Sequence, residues 1–189
     1  ESSGCCQDGA PTTANDSEGG GCCQAKPKRK TVVPTVATDV HELSGMKVFY
    51  ATTKETSKSF AEELVLKAES LKIEAEAVCL EDYDPDMLQD ETVLCVFVLP
   101  TYEGGTPPPQ AAWFYKWLDE TRNDFRVDSR LLVSIRYAVF GLGDSQYVNN
   151  YNTVASNVDM WLGELAAARV NPLGCGDANT VKSLNKGQK

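Results

Sequence analysis

Short apolar runs alternate along the chain with longer segments in which apolar residues recur every three or four positions. The runs MKVFYA (46–51), TVLCVFVLP (92–100) and RYAVFG (136–141) predict strands, and the second is apolar throughout, as in a central parallel strand. The segments TSKSFAEELVLKAESL (56–71) and QAAWFYKWLDET (110–121) predict amphipathic helices. Strands and helices therefore follow each other in turn.

Further segments continue the same alternation. KIEAEAVCL (72–80) alternates apolar and polar residues like a strand near the sheet edge, and the acidic stretch 81–91 is predicted to be a solvated loop. NTVASNVDMWLGELAAA (152–168) predicts a helix, and RVNPLG (169–174) predicts a last short strand. This order predicts one α/β domain, a doubly wound parallel sheet whose right-handed crossovers place helices on both faces.

The composition divides the chain into three parts. Residues 1–45 have almost no large apolar side chains, so we predict a disordered tail or linker. The domain is expected over 46–183, followed by a truncated tail at 184–189. The residues after Gly176 are too few and too polar for a covering helix, so we expect the last helix to be missing and the chain to be truncated within its domain.

The positions of the cysteines indicate the cellular compartment of the protein and a possible attachment to a membrane. Cys79, Cys95 and Cys175 fall in or beside apolar runs, which favours a reducing, cytoplasmic location. The other four lie in two GCCQ repeats before the basic run KPKRK (26–30). These fit incidental cysteines in a tail; the alternative is a palmitoylated, polybasic tether to a membrane, such as that of the endoplasmic reticulum if upstream sequence is missing.

Net charge and histidine content bear on the partners and the chemistry. The formal net charge of −9 disfavours direct binding to nucleic acid and suits docking onto a basic partner. The one histidine, His41, lies in the tail, so the sequence offers no histidine-based metal site or acid-base centre. No run approaches the roughly 18 apolar residues that span a bilayer.

The first predicted loop, YATTKETS (50–57), carries hydroxyls beside the free amides at the start of a helix. The side chains of Thr52, Thr53, Thr56 and Ser57 could hold a phosphate together with those amides. Thr56 or Ser57 is also placed to cap the helix, so the loop alone fits an ordinary helix start as well.

Two more loops follow the third and fourth predicted strands. PTYEGG (100–105) has glycines that let backbone approach a ligand closely, and Tyr102 offers a flat ring. By itself this loop also fits an ordinary Gly-Gly turn. FGLGDSQY (140–147) has two glycines of its own and supplies a second ring, Tyr147.

Asp144 and Ser145 are predicted to begin the helix that follows this third loop. In an open parallel sheet, the loops after the carboxyl ends of the strands line one crevice. Two aromatic rings on neighbouring loops can enclose a planar heterocycle, while a phosphate seat on a third loop fixes its other end. Together the loops predict a ligand with a flat ring and one phosphate.

The motifs TYEGG, RYAVFGLGDSQY, NVDMWL and GCGDANTVKS resemble the flavodoxin-type FMN domain in the long form of diflavin reductases and of the wybutosine-pathway tRNA enzymes, the 4-demethylwyosine synthases. The resemblance covers residues 46–183, and AAWFYKWLDE with MWLGELAAARV is most similar to the tRNA enzymes. It implies a flavodoxin-like five-stranded sheet with strand order 2-1-3-4-5.

The resemblance implies FMN as the cofactor and assigns residues to it. They are Thr52, Thr53, Lys54, Glu55 and Thr56 at the phosphate, Thr101, Tyr102, Glu103 and Gly104 on one side of the ring, Phe140, Gly141, Leu142, Gly143, Asp144, Ser145, Gln146 and Tyr147 on the other, and Asn152 and Asp177 in the same pocket. This chain has Lys54 and Glu55 where relatives usually carry Thr-Gly. The Glu55 carboxylate must turn outward, so we expect FMN binding to be retained but weakened.

The resemblance also implies a partner. In the tRNA enzymes the flavin domain serves a radical S-adenosylmethionine domain with a [4Fe-4S] cluster, which makes 4-demethylwyosine in tRNA(Phe), a lyase reaction. The Cys-x3-Cys-x2-Cys motif of that domain is absent from this chain, so we predict an electron carrier without catalytic residues that meets tRNA only through that domain. The alternatives are the FMN domain of a diflavin reductase and a scaffold domain that has lost FMN.

Overall fold

The computed structural model describes residues 44–52 and 55–180, which all belong to the unit Val32–Lys189. The predictions for the tail and its tether and for Thr53 and Lys54 lie outside the described residues. The sequence predicted that the last helix is missing, but residues 178–180, where the described part ends, are helical. No described helix is long and apolar enough to cross a membrane.

The described strands form one parallel sheet of the predicted doubly wound type. Their order is β2-β1-β3-β4-β5, and β6 also pairs with β4, so the predicted order 2-1-3-4-5 is confirmed. The strands are β1 (Met46–Tyr50), β2 (Ala75–Cys79), β3 (Leu94–Pro100), β4 (Arg136–Gly143), β5 (Ala168–Arg169) and β6 (Gly174–Asp177).

The fifth position of the sheet is occupied by two short strands, whereas the sequence predicted one strand over 169–174. β5 pairs with the beginning of β4, at Arg136 and Tyr137, and β6 pairs with its end. Pro172 lies between them and has no N–H to donate to a strand ladder. The consequence for the site is that β6 brings Asp177 to the carboxyl edge of the sheet, opposite Gly143.

Helices cover both faces of the sheet. On one face Ala61 of α1 packs with Val48 and Val98 of the central strands. On the other face Phe114 stacks on Phe97, with ring centroids 5.4 Å apart, and Leu162 lies in the same buried cluster. The helices are α1 (Thr56–Ser70), α2 (Ala112–Asn123) and α3 (Thr153–Glu164).

Two predictions about the residues that begin helices were wrong, although α1 begins at Thr56 as its periodicity predicted. No side chain caps α1 through a hydrogen bond, and the residue before it, Glu55, has a left-handed backbone. Asp144 and Ser145 do not begin a helix; the next α-helix begins at Thr153, one residue after the start that its periodicity predicted. Asp144 turns the chain by accepting a hydrogen bond from the Gln146 amide (3.0 Å), a local bond that competes with helix formation.

The acidic stretch 81–91 is anchored to the domain, so the prediction of a solvated loop was wrong for part of it. It contains a short 3₁₀ helix, Pro85–Asp90, in which Leu88 is fully buried. Nε1 of Trp117 on α2 donates to Asp86 Oδ1 at 2.7 Å. Leu88 in the core and the hydrogen bond from Trp117 to Asp86 therefore anchor the acidic stretch to the domain.

Candidate cofactor-binding site

A cavity of about 690 Å³ opens where β1, β3 and β4 end. Its volume lies within the range of roughly 300–1,000 Å³ typical of small-ligand pockets, and its position follows the rule for open parallel sheets. The residues that line it are Thr52, Thr56, Ser57, Pro100, Thr101, Tyr102, Glu103, Gly104, Thr106, Leu142, Gly143, Asp144, Tyr147, Asn150 and Ala178.

The three predicted loops meet at this cavity. Of the residues that the resemblance assigns to FMN, those on the lining are Thr52, Thr56, Thr101, Tyr102, Glu103, Gly104, Leu142, Gly143, Asp144 and Tyr147. Their role in binding FMN stays a prediction. Lining residues that were not assigned are Ser57, Pro100, Thr106, Asn150 and Ala178. Ser57 had a signal in the sequence, as a hydroxyl in the first loop, whereas Asn150 and Ala178 had none.

Several assigned residues do not line the cavity. They are Glu55, Phe140, Gly141, Ser145, Gln146, Asn152 and Asp177. The Phe140 ring lies on the α1 side of the sheet, beside the Phe60 ring, with ring centroids 6.3 Å apart.

The amino end of α1 is fitted to an oxyanion. The first amides of a helix have no partner within the helix and carry a partial positive charge. Thr56 and Ser57 line the cavity at this end. The Ser57 hydroxyl is buried and has no hydrogen-bond partner among the described residues. A phosphate oxygen would supply the partner that this hydroxyl lacks.

Glu55 turns away from the cavity, which is the orientation that the sequence prediction of a phosphate there required. Its side chain is 74% exposed, and Oε2 lies 3.5 Å from Lys58 Nζ. The backbone has φ 60°, a left-handed conformation that glycine adopts freely and glutamate does not. Glycine, the residue that the resemblance implies at this position, would therefore match the backbone better than glutamate does.

The two tyrosines border the cavity on different loops. Tyr102 follows β3, and its buried hydroxyl has no hydrogen-bond partner among the described residues. The turn after it is held by the Tyr102 amide donating to the Thr106 carbonyl oxygen at 2.9 Å, and Gly104 has φ 73°. Tyr147, on the loop after β4, is 59% exposed. The pair offers one sheltered ring and one open ring.

Asn152 lies behind the cavity wall. It is buried, and a Cβ added to Gly141 or Gly143 would lie 2.7 or 2.8 Å from its Oδ1. Its Nδ2 donates to the Gly176 carbonyl oxygen at 3.3 Å. Asn152 therefore packs against the glycines at the end of β4, whereas the resemblance implied that it lines the pocket.

Asp177 also lies outside the lining, and its carboxylate faces other protein groups. The pKa of Asp177 lies well below its ordinary value because several hydrogen bonds stabilise the carboxylate. The hydrogen bond from the Ser145 backbone N–H lowers the pKa most. Asp177 is therefore ionised throughout the physiological pH range, with its charge directed at the loop after β4.

The charges on the lining are negative. Glu103 and Asp144 contribute carboxylates, and no lysine or arginine occurs among the lining residues that the structure describes. An anionic group would therefore be held there by helix amides and hydroxyls, as at other helix amino termini.

A doubly wound parallel sheet with a ligand-sized cavity between a helix amino terminus and two tyrosine-bearing loops defines the flavodoxin class of domain. Residues 48–188 match the flavodoxin family model, and the chain belongs to this family. A short-chain flavodoxin associated with a PDU bacterial microcompartment has a TM-score of 0.59 at 22% identity, covering 75% of this chain and 93% of that chain. Oxidised flavodoxin 1 from Bacillus cereus has a TM-score of 0.57 at 20% identity, covering 76% and 95%.

Among curated proteins, the chain is similar to the S-adenosyl-L-methionine-dependent tRNA 4-demethylwyosine synthase TYW1. Identity is 43% over 163 residues with the Danio rerio protein, covering 84% of this chain and 22% of the relative. It is 46% over 145 residues with the Xenopus laevis protein, covering 75% and 20%. The chain spans about a fifth of the length of these relatives. The resemblance expected from the motifs is confirmed.

Proposed function

We propose that this chain is an FMN-binding electron-transfer domain. The observation that carries the proposal is the cavity at the amino end of α1, where the Ser57 hydroxyl is buried without a partner among the described residues. FMN, when bound, supplies the one-electron redox chemistry, and the protein binds, orients and tunes it. Membership of the flavodoxin family supports the same cofactor.

The lining residues divide the work of binding. Thr52, Thr56 and Ser57 would hold the phosphate together with the first amides of α1. Tyr102 and Tyr147 would pack against the ring system and keep water from it. This division places the charged group at the helix and the flat group between the two loops.

Two carboxylates would tune the redox potential. Glu103 and Asp144 line the cavity and disfavour any further negative charge placed there. We therefore expect them to lower the reduction potential of a flavin in the cavity.

We further propose a radical S-adenosylmethionine domain as the electron acceptor, within the same full-length protein. The relatives are named as S-adenosyl-L-methionine-dependent tRNA 4-demethylwyosine synthases, and this chain matches about a fifth of their length. S-adenosylmethionine, a [4Fe-4S] cluster and the tRNA would then all belong to the remaining part. The net charge of −9 suits a basic docking surface on that part.

Electron transfer from the FMN-loaded chain tests this function. The chain would be incubated with FMN, desalted and reduced under anaerobic conditions. It would then be mixed with the remaining part of the Danio rerio relative, in which we propose the cluster to lie. Electron paramagnetic resonance would monitor the reduction of the cluster. We expect this reduction to be slower at high salt, because salt screens the attraction between the acidic chain and a basic docking surface. Cluster reduction no faster than with free reduced FMN would contradict the proposed acceptor.

A further inference from the structure

We propose that Asp177 is a positioning residue that holds the loop of residues 144–147 against the cavity, and that it is not itself a ligand of the cofactor. The inference deepens the proposed function and rests on it, because this loop is one of the two that would enclose the ring. It differs from what the resemblance implied, which was a direct place for Asp177 in the pocket.

The hydrogen bonds of Asp177 fill the acceptor capacity of its carboxylate. Oδ1 accepts from the backbone N–H of Ser145 at 3.0 Å and of Asn179 at 2.9 Å. Oδ2 accepts from the hydroxyls of Ser145 and Thr180, each at 2.8 Å. A carboxylate offers about four lone-pair positions. The four donors leave no oxygen of Asp177 for a ligand.

The sheet brings the two segments together although they are 32 residues apart in the sequence. β6 pairs with the end of β4 so that Asp177 lies opposite Gly143, two residues before Ser145. Side chains extend the link: Asn179 Nδ2 donates to Ser145 Oγ at 3.2 Å, and Gln146 Nε2 donates to Asn179 Oδ1 at 3.3 Å. The loop is thus fastened at two successive residues.

The fastened loop carries part of the cavity wall. Asp144 and Tyr147 line the cavity on either side of Ser145 and Gln146, and Ala178 lines it next to Asp177. Tyr147 is 59% exposed, so packing alone restrains it weakly. The hydrogen bonds from Ser145 to Asp177 therefore fix the position of the Tyr147 ring. Losing that hold should weaken contacts to the ring system and leave the phosphate seat at α1 unchanged.

The test compares Asp177→Ala and Asp177→Asn with the control Asp128→Ala. Asp128 makes the same local bond as Asp177, since its Oδ1 accepts from the backbone N–H two residues later, on Arg130, at 2.9 Å. It lies outside the cavity lining. Amide hydrogen exchange of residues 144–147 would be measured without flavin, and Kd would be measured for FMN and for riboflavin. Thermal unfolding would show that each variant folds.

For Asp177→Ala we expect exchange of the Ser145 amide to rise about tenfold or more, because a hydrogen bond to a charged group is lost. Kd should rise about tenfold for both FMN and riboflavin, so that their ratio is unchanged, since riboflavin differs only in lacking the phosphate. Asp177→Asn keeps the Oδ1 acceptor and should show a smaller change in both measurements. Asp128→Ala should change neither.

The outcomes separate the proposal from its alternatives. Unchanged exchange with weaker flavin binding would mean that Asp177 contacts the ligand directly, and it would overturn the proposal. Faster exchange without any change in either Kd would overturn the link between loop position and binding. If the unmodified chain bound neither flavin, the proposed function would fail, while the exchange rates would still decide whether Asp177 holds the loop. If Asp177→Ala does not fold, Asp177→Asn carries the same comparison.

Discussion

Ser57 shows how a single hydroxyl connects the helix to the ligand. It is about 1% exposed, lines the cavity and lacks a hydrogen-bond partner among the described residues. An unpaired buried hydroxyl costs roughly 1–3 kcal/mol of folding free energy, so a ligand oxygen that pairs with it gains affinity. The sequence marked this hydroxyl as one of four in a loop; only the fold shows that it is buried and unpaired.

We predict that Ser57→Ala raises the Kd of FMN about tenfold and leaves the Kd of riboflavin unchanged, because only FMN has a phosphate. Flavin-fluorescence titration measures both constants. The control is Ser70→Ala at the far end of the same helix, where the hydroxyl donates to the Lys67 carbonyl oxygen. Equal FMN affinity in Ser57→Ala and the unmodified chain would remove Ser57 from the phosphate seat.

Glu55 has a backbone conformation that glycine adopts at a lower free-energy cost. Its left-handed backbone, φ 60°, costs about 1 kcal/mol or more for a residue other than glycine. Glu55→Gly should therefore raise the melting temperature by about 2–4 °C and also tighten FMN binding, because a carboxylate near the phosphate is removed.

Glu62→Gly, at an exposed position inside α1, is the matched control. Glycine within a helix lowers stability by about 1 kcal/mol, so the two substitutions should shift the melting temperature in opposite directions. Differential scanning calorimetry measures both. A destabilised Glu55→Gly would show that the left-handed backbone carries no strain.

The cysteines of the sheet should differ in reactivity. Burial raises the pKa of the Cys95 thiol to about 12, so at pH 8 it stays protonated and unreactive. Cys175 on β6 is exposed. Iodoacetamide labelling at pH 8 with peptide mapping should modify Cys175 in the folded chain and Cys95 only in denaturant. Comparable labelling of both thiols in the folded chain would contradict the burial of Cys95.

At the scale of elements, the contact between β4 and α3 is tight where the site is built. A Cβ on Gly141 would lie 2.7 Å from both Ala155 Cβ and Asn152 Oδ1. The glycine therefore lets α3 approach the strand, and it serves the packing behind the cavity and not the cavity surface.

Gly141→Ala should destabilise the chain by roughly 1–3 kcal/mol, because the helix must move away from the strand. Gly104→Ala is the comparison: nothing lies within 4 Å of its added Cβ, so only the strain of φ 73° applies, about 1 kcal/mol. Urea unfolding without flavin measures both free energies. A smaller loss for Gly141→Ala than for Gly104→Ala would contradict the tight contact.

The elements themselves could be predicted because each is read from a local pattern. The apolar run of β3 and the periodicity of α1 and α2 locate these elements to within two residues of their observed bounds. The periodicity of α3 also located its start to within one residue, whereas the expectation that Asp144 and Ser145 begin a helix was wrong. Asp144 and Ser145 are common residues at helix starts, but here the Ser145 amide pairs with Asp177, a residue 32 positions away.

At the scale of the whole molecule, the family resemblance implied the sheet order, which the structure confirms. The edge where the loops meet follows from the general rule for open parallel sheets. The sequence did not predict which assigned residues stand behind the wall, as Asn152 and Asp177 do, because that depends on register. The register between β6 and β4 sets Asp177 opposite Gly143, and no local pattern in the sequence states that register.

The net charge of the whole molecule affects docking to the electron acceptor and also the binding of an anion in the cavity. A net charge of −9 and two carboxylates on the lining oppose an anionic ligand at long range. If FMN is to bind, the attraction between its phosphate and the amides and hydroxyls at the amino end of α1 must be stronger than this repulsion.

The most direct test of FMN binding in the cavity is a titration of the purified chain with FMN, monitored by the quenching of flavin fluorescence. We predict saturable quenching at one FMN per chain with a Kd of about 1–10 µM, and weaker binding of riboflavin. A folded chain that shows no saturation at about 50 µM FMN would contradict the account.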